Sequence, residues 1–314
     1  MRMKLLTALM LPLLVIALAP VDAAADPPLR DEYRITTLFP GGDVLRPGPK
    51  SEDGHFYLGF DLGLTYSTFQ DGPVSFYSPN PYFEQFPLES TVHDGSGVGY
   101  YIGLTADIPI NETFGIVGKL NYHARNGSFD RTTDSIPVVT PQGEVLAAWR
   151  DEVDWAFNYV GVDLLLRVQL VEESLYLLLG PSLGFLTGNN ANLTQTILTD
   201  GVFYQEEAFP QDPLVNQLTE ANSDGEVEGF SSTRVDIKFG LGSWFHLSDN
   251  LYLVPEAMVA FPLTQFTDVQ SYGPNEDLPD AALFDRQIPF IIENEDFNML
   301  TFFFTVGLRW QLDM

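Results

Sequence analysis

Thr301-Phe-Phe-Phe-Thr-Val-Gly-Leu-Arg-Trp-Gln-Leu-Asp-Met314 is the stretch that decides the fold. Phe302, Phe304, Val306, Leu308, Trp310 and Leu312 fall on one side of an extended chain. Thr301, Thr305, Gly307, Arg309 and Gln311 fall on the other, with Phe303 as the exception. A period of two marks a β-strand, because successive side chains point to opposite faces. A sheet with one buried face reads this way too. Six aligned apolar side chains, however, exceed what a globular sheet usually needs and suit a tilted strand of about 9–11 residues crossing a bilayer.

The same alternation recurs upstream. From His55 to Phe69, Phe56, Leu58, Phe60, Leu62, Leu64 and Tyr66 oppose Tyr57, Gly59, Asp61, Gly63, Thr65 and Ser67. Further strands are predicted over roughly 96–108, 114–126, 156–170, 174–187, 233–247, 251–264 and 297–312. The two at 174–187 and 251–264 are apolar on both faces, so Gly180, Ser182 and Gly184 set the phase of one and Glu256 that of the other. Connections alternate in length. Those at 109–113, 171–173 and 248–250 are tight turns, whereas 70–95, 127–155, 188–232 and 265–296 read as long, polar and acidic loops. Short turns on one side and long loops on the other are the asymmetry of an outer-membrane barrel. Eight strands close around an interior that side chains can fill, and closure satisfies every backbone group without water.

The N-terminus supports export. Arg2 and Lys4 precede an apolar run from Leu5 to Ala19, and Ala23-Ala24-Ala25 offers a small-residue cleavage site. Residues 1–25 therefore read as a cleaved signal peptide, and 26–54, rich in Pro and Gly, as a periplasmic extension of little structure. The barrel is expected over 55–314. The chain has no Cys, which excludes disulfides, thiolate metal sites and a lipid anchor on a cysteine. Fifteen basic residues stand against 43 acidic ones, for a formal charge of −28. Nucleic acid is a poor partner for such a chain, since phosphates would be repelled.

Tyr176-Leu-Leu-Leu-Gly-Pro-Ser-Leu-Gly-Phe185 resembles the Gly-Pro strand of small bacterial outer-membrane β-barrel domains, the OmpA/OmpW/PorT-like group. Leu251-Tyr-Leu-Val-Pro-Glu256 is similar to the next hairpin of that group. Thr305, Gly307, Trp310 and Leu312 resemble the β-signal read by the barrel-assembly machinery; the family prefers a final aromatic residue, whereas this chain ends Leu-Asp-Met. The resemblance runs from about residue 55 to the end. It implies an eight-stranded antiparallel transmembrane up-and-down barrel in the bacterial outer membrane, with outer-membrane lipids and the assembly machinery as partners. It does not specify a role, because such barrels host many.

Ionisable residues concentrate on the faces predicted to point inward: Asp61, Asp107, Lys119, Arg125, Asp163, Arg167, Arg234, Asp236, Lys238, Glu256 and Arg309. An unpaired charge in a narrow, partly dry interior costs several kcal/mol, so near-balance argues for paired ions. A structural plug is the preferred reading; a gated or ion-selective path is the sharper one. Catalysis finds little support. A rim site built from His93 and His123 with Asp94 and Ser90 or Ser96 is imaginable, but the histidines share no spacing signature. No cofactor and no metal centre are expected, since no two His share a ligand spacing. The acid clusters Asp151-Glu152-Val-Asp154, Glu206-Glu207, Asp224-Gly-Glu226-Val-Glu228, Glu276-Asp277 and Glu293-Asn-Glu295-Asp296 offer carboxylates to divalent cations. A solvated surface explains them more simply. The preferred role is structural or interactive. The alternatives are a small channel or transporter for ions or hydrophobic solutes, and a rim-located lipid-modifying enzyme.

Overall fold

The computed structural model describes residues 55–70, 74–78, 88–92, 95–140, 143–171, 174–203, 219–225, 227–228, 230–264, 290–293 and 298–313. The expected signal peptide (1–25) and extension (26–54) lie outside them. The described residues form strands and turns and no helix. The strands are β1 (His55–Gln70), β2 (Val74–Ser78), β3 (Leu88–Val92), β4 (Gly95–Pro109), β5 (Phe114–Thr140), β6 (Gly143–Val171) and β7 (Leu175–Ile197). They continue as β8 (Glu220–Gly225), β9 (Val227–Glu228), β10 (Thr233–Ser243), β11 (Phe245–Ser248), β12 (Leu251–Pro262), β13 (Phe290–Glu293) and β14 (Asn298–Asp313).

Eight of these close a ring in the order β1-β4-β5-β6-β7-β10-β12-β14 and back to β1. Every neighbouring pair in it is antiparallel. The seam between the first and last strands is continuous from His55↔Asp313 to Gln70↔Asn298. β11 extends β10 past Trp244 and pairs with β12. The tight turns expected at 109–113 and 248–250 fall there, and residues 172–173 of the third lie outside the described residues. At the first, Asn111 Oδ1 accepts from the amides of Thr113 (2.9 Å) and Phe114 (2.8 Å), a side-chain mimic of a backbone turn.

Alternation sorts the side chains. Leu62, Leu64, Leu104, Leu120, Leu164 and Val306 stand outward and exposed, while Asp61, Lys119, Asp163 and Arg309 are buried inside. A contiguous exposed apolar belt of this kind is a lipid-facing surface. Phe303, the exception to the polar face of the last strand, keeps its parity and points inward, fully buried.

The upper part differs from the sequence expectation. Residues 127–155 are not a loop: β5 and β6 run on as one hairpin from Phe114↔Val168 to Thr140↔Gly143, with Gly143 at φ 127°, a conformation that favours glycine. β7 likewise continues to Ile197 and pairs with β8. The alternation persists there with reversed polarity, apolar inward and polar outward, so its composition reads as a polar loop. The segments expected as the other long loops contribute a second sheet in the order β3-β2-β13-β9.

Candidate functional site

The eleven inward ionisable residues are all buried, none more than 7% exposed. They come from β1, β4, β5, β6, β10, β12 and β14, because each strand offers every second residue to the lumen. Near the short-turn end, Arg167 Nε lies 3.3 Å from Asp107 Oδ2. The Arg167 guanidinium also stands over the rings of Trp244 (5.7 Å) and Tyr176 (6.0 Å). Tyr57, Trp244 and Tyr252 pack together beside it with centroids 5.2 to 5.8 Å apart, Tyr252 edge to face with the other two.

Above this floor, Asp61 takes Arg309 Nη2 at 2.6 Å, Lys119 Nζ at 3.3 Å and the Thr105 hydroxyl at 2.6 Å. Lys119 also pairs with Glu256, which accepts from Tyr176 Oη at 2.8 Å. Gly307 makes this crowding feasible, because a Cβ there would overlap both Asp61 and Arg309. On the opposite wall, Asp163 receives Lys238 Nζ at 2.8 Å on both oxygens, Ser182 at 2.6 Å and Asn121 Nδ2 at 3.2 Å. Lys238 Nζ lies 4.5 Å from the centroid of Phe303, so the apolar residue on the polar face caps a cation.

A third group sits higher. Asp236 accepts from Arg125 Nη2 at 2.7 Å and Arg234 Nε at 2.6 Å. Arg125 Nε donates to His123 Nε2 at 3.0 Å, and His123 Nδ1 is 2.8 Å from Asn121 Oδ1. An accepting Nε2 leaves the proton on Nδ1, which fixes a neutral tautomer and aims the Asn121 amide at Asp163. His123 and Asn121 thus join the Asp163 and Asp236 groups into one chain of bonds. His123 stacks on Tyr159 (5.7 Å) and Tyr101 (6.3 Å), enclosed within the lumen rather than open at a rim. Its imagined partners His93 and Asp94 lie outside the described residues.

The network is covered from above by an apolar layer. Phe69, Phe129, Trp155, Phe157, Leu193 and Met299 are buried together. Phe129 and Trp155 have centroids 4.7 Å apart, and Phe69 lies 5.3 Å from each. Gly127 provides the space for Phe69, whose ring a Cβ would penetrate. Sequence reasoning missed this layer by ending its strands at 126 and starting the next at 156. The signal was present in Val153-x-Trp155-x-Phe157, apolar on the opposite parity to Val160-x-Val162-x-Leu164. It also missed the neutral links Thr105, Asn121, Ser182 and Tyr176, whose polar atoms complete the ion pairs.

The expected β-signal residues divide by parity. Thr305 and Gly307 face the lumen; Trp310 and Leu312 are exposed outward near the short-turn rim, Trp310 against Phe60 with centroids 5.9 Å apart. The expected acid cluster at 151–154 is split by the strand it lies on. Asp151 is buried and accepts from Gln195 Nε2 at 2.8 Å, while Glu152 and Asp154 point outward.

Comparison with curated protein sequences finds no match. Among solved structures, Ail of Yersinia pestis, crystallised with the heparin analogue sucrose octasulfate, is 11% identical over 83% of this chain and 99% of its own, with a TM-score of 0.28. The outer membrane protease OmpT from Escherichia coli is 9% identical over 82% and 97%, with a TM-score of 0.32. A Pseudomonas aeruginosa FadL homologue is 9% identical over 82% and 90%, with a TM-score of 0.21. At such scores the strand register and the family match carry the fold instead. The family model of the outer membrane protein beta-barrel domain matches residues 48–268. With that match and a closed, lipid-belted ring of eight strands, this chain belongs to the outer membrane protein β-barrel domain family of bacterial outer membranes.

Proposed function

We propose that the protein is a closed outer-membrane barrel that works as a structural and surface-presenting element, not as a conduit. One observation carries this reading: six cations and five carboxylates bridge the lumen and lie between an aromatic floor and an aromatic cover. A permeating ion would have to break several buried pairs at once, and each broken pair leaves a charge uncompensated. The extracellular half of β5–β7 then serves as a rigid stalk for the surface segments. In planar bilayers the purified protein gives no steady conductance under this reading. A stable open channel whose ion preference changes with Lys238→Met or Arg309→Met, at unchanged stability, would overturn it in favour of transport.

The C-terminal strand supports an assembly role as well. Trp310 and Leu312 present apolar surface at the rim where aromatic belts are favoured. Trp310→Ala lowers the yield of membrane-inserted protein well below that of Phe203→Ala, which changes an exposed residue of the extracellular part. Equal yields would remove the β-signal reading.

A further inference from the structure

On the outer wall, just above the apolar belt, strands β4 to β7 surround a recess of about 410 Å³. The recess is open on its outward side. The register explains its shape. Asn126 stands opposite Ala156, which stands opposite Asn190; one row higher, Ser128, Asp154 and Asn192 are aligned in the same way. The small Ala156 leaves a hollow between two amides. The β4–β5 ladder lapses between Ser96↔Ser128 and Tyr101↔His123, and Asn126 Nδ2 spans the gap by donating to Val98 O at 3.0 Å. Asn126 Oδ1 is buried and has no hydrogen-bond partner among the described residues.

Directly beneath, Tyr100 and Tyr122 (centroids 5.9 Å apart) and Phe185 end the lipid-facing belt, and Tyr100 Oη donates to Asn158 Oδ1 at 3.2 Å. Aromatic girdles of this kind mark the membrane–water interface. The recess is therefore level with lipid headgroups and continuous with the surface that the acyl chains cover. Its chemistry selects among headgroups. The residues lining it include one carboxylate, Asp154, and no cation. A phosphate would meet repulsion without compensation. Amides that both donate and accept, beside a hydroxyl and a carboxylate, match the mixed donors and acceptors of sugar hydroxyls.

We propose that this recess binds the uncharged sugar headgroup of a glycolipid in the outer leaflet, with the acyl chains lying along the belt below Tyr100 and Tyr122. The site uses only the outer wall, so it rests on the membrane placement and is independent of whether the lumen conducts. The test uses full-length protein in detergent, mixed with monoglucosyl diacylglycerol or with phosphatidylglycerol, and native mass spectrometry to count retained lipid. The wild type retains the glucosyl lipid on the order of ten-fold more than the anionic one, equivalent to about 1.4 kcal/mol. The double variant Asn190→Leu with Asn192→Leu falls to the anionic-lipid level. Ala156→Leu, which fills the hollow without removing an amide, does the same. Thr194→Val, farther up β7, leaves retention unchanged. All four positions are outward-facing, and the heat-dependent gel shift of a closed barrel verifies that each variant is folded. Equal retention of the two lipids, or full retention by either recess variant, overturns the proposal. Loss of the lipid to equimolar methyl glucoside overturns it too, because a free sugar would then suffice.

Discussion

The two halves of β6 are built on opposite rules. Between Tyr159 and Val168, Val160, Val162, Leu164 and Leu166 face outward while Asp163 and Arg167 face the lumen. Between Arg150 and Asn158, Val153, Trp155 and Phe157 face inward while Glu152, Asp154 and Asn158 face outward. The parity of the strand does not change; the solvent outside it does. In the lower half the surroundings are hydrocarbon, and polar groups retreat inward to pair with one another. In the upper half the surroundings are water, and the apolar groups retreat inward to pack. β5 switches at the same height, between Tyr122 and Asn126, as does β7 between Phe185 and Asn190. The β6–β7 register shifts between Asn158 and Tyr159, around Thr187, whose hydroxyl donates to Asn158 O at 3.1 Å. A bulge on β7 lets its odd residues Ala191 and Leu193 turn inward above, where even residues such as Ser182 and Gly184 did so below. The edge of the membrane is thus written into the wall as an inversion of polarity, at constant parity in β5 and β6 and across a bulge in β7.

The largest effect tests the lower half. Lys238→Met removes the cation from Asp163 and is expected to cost about 3–5 kcal/mol, since the carboxylate stays buried with only neutral donors. Adding Asp163→Leu should restore most of that loss. Urea unfolding in lipid vesicles measures both, and a double variant no better than the single one would mean that packing, not charge, holds this level together. In the upper half, Phe157→Ala opens a cavity in the aromatic layer and is expected to cost about 3–5 kcal/mol, as large aromatic truncations do. Its signature differs: protease should cut the β5–β6 hairpin sooner while the membrane-embedded ring stays resistant to SDS without heating. Loss of heat-modifiability would show that the two halves unfold as one.

The next comparison places one change on either side of the boundary. Leu164→Arg puts a cation among lipid chains and should destabilise by roughly 2–4 kcal/mol, whereas Asp154→Arg, on the same face above the boundary, should fall within about 1 kcal/mol. Similar costs for the two would mean that the lipid belt reaches Asp154. The smallest effect is expected for Thr194→Val, within about 0.5 kcal/mol, since its hydroxyl makes an exposed bond to Asn222. A larger shift would assign the β7–β8 pairing a greater share of stability than its exposure suggests.

Within the lower strands, the sequence alone determined which residues face which way. Period-two alternation makes parity legible residue by residue, so Asp61, Lys119, Asp163 and Arg309 could be placed inside before any partner was known. The ring of eight followed from alternating connection lengths, and family membership from the motifs of the barrel strands. Tertiary structure decided everything that depends on height and on which strands meet across the lumen. No one-dimensional pattern says that Lys238 of β10 reaches Asp163 of β6 rather than Asp236 on its own strand, because such pairs form across the interior between strands far apart in sequence. Nor does the pattern say that Phe303 lies beneath a lysine, or that the aromatic residues of 129–157 close over the ions. Those contacts depend on register, and register emerges only when eight strands close on one another and each inward side chain must find its partner without water.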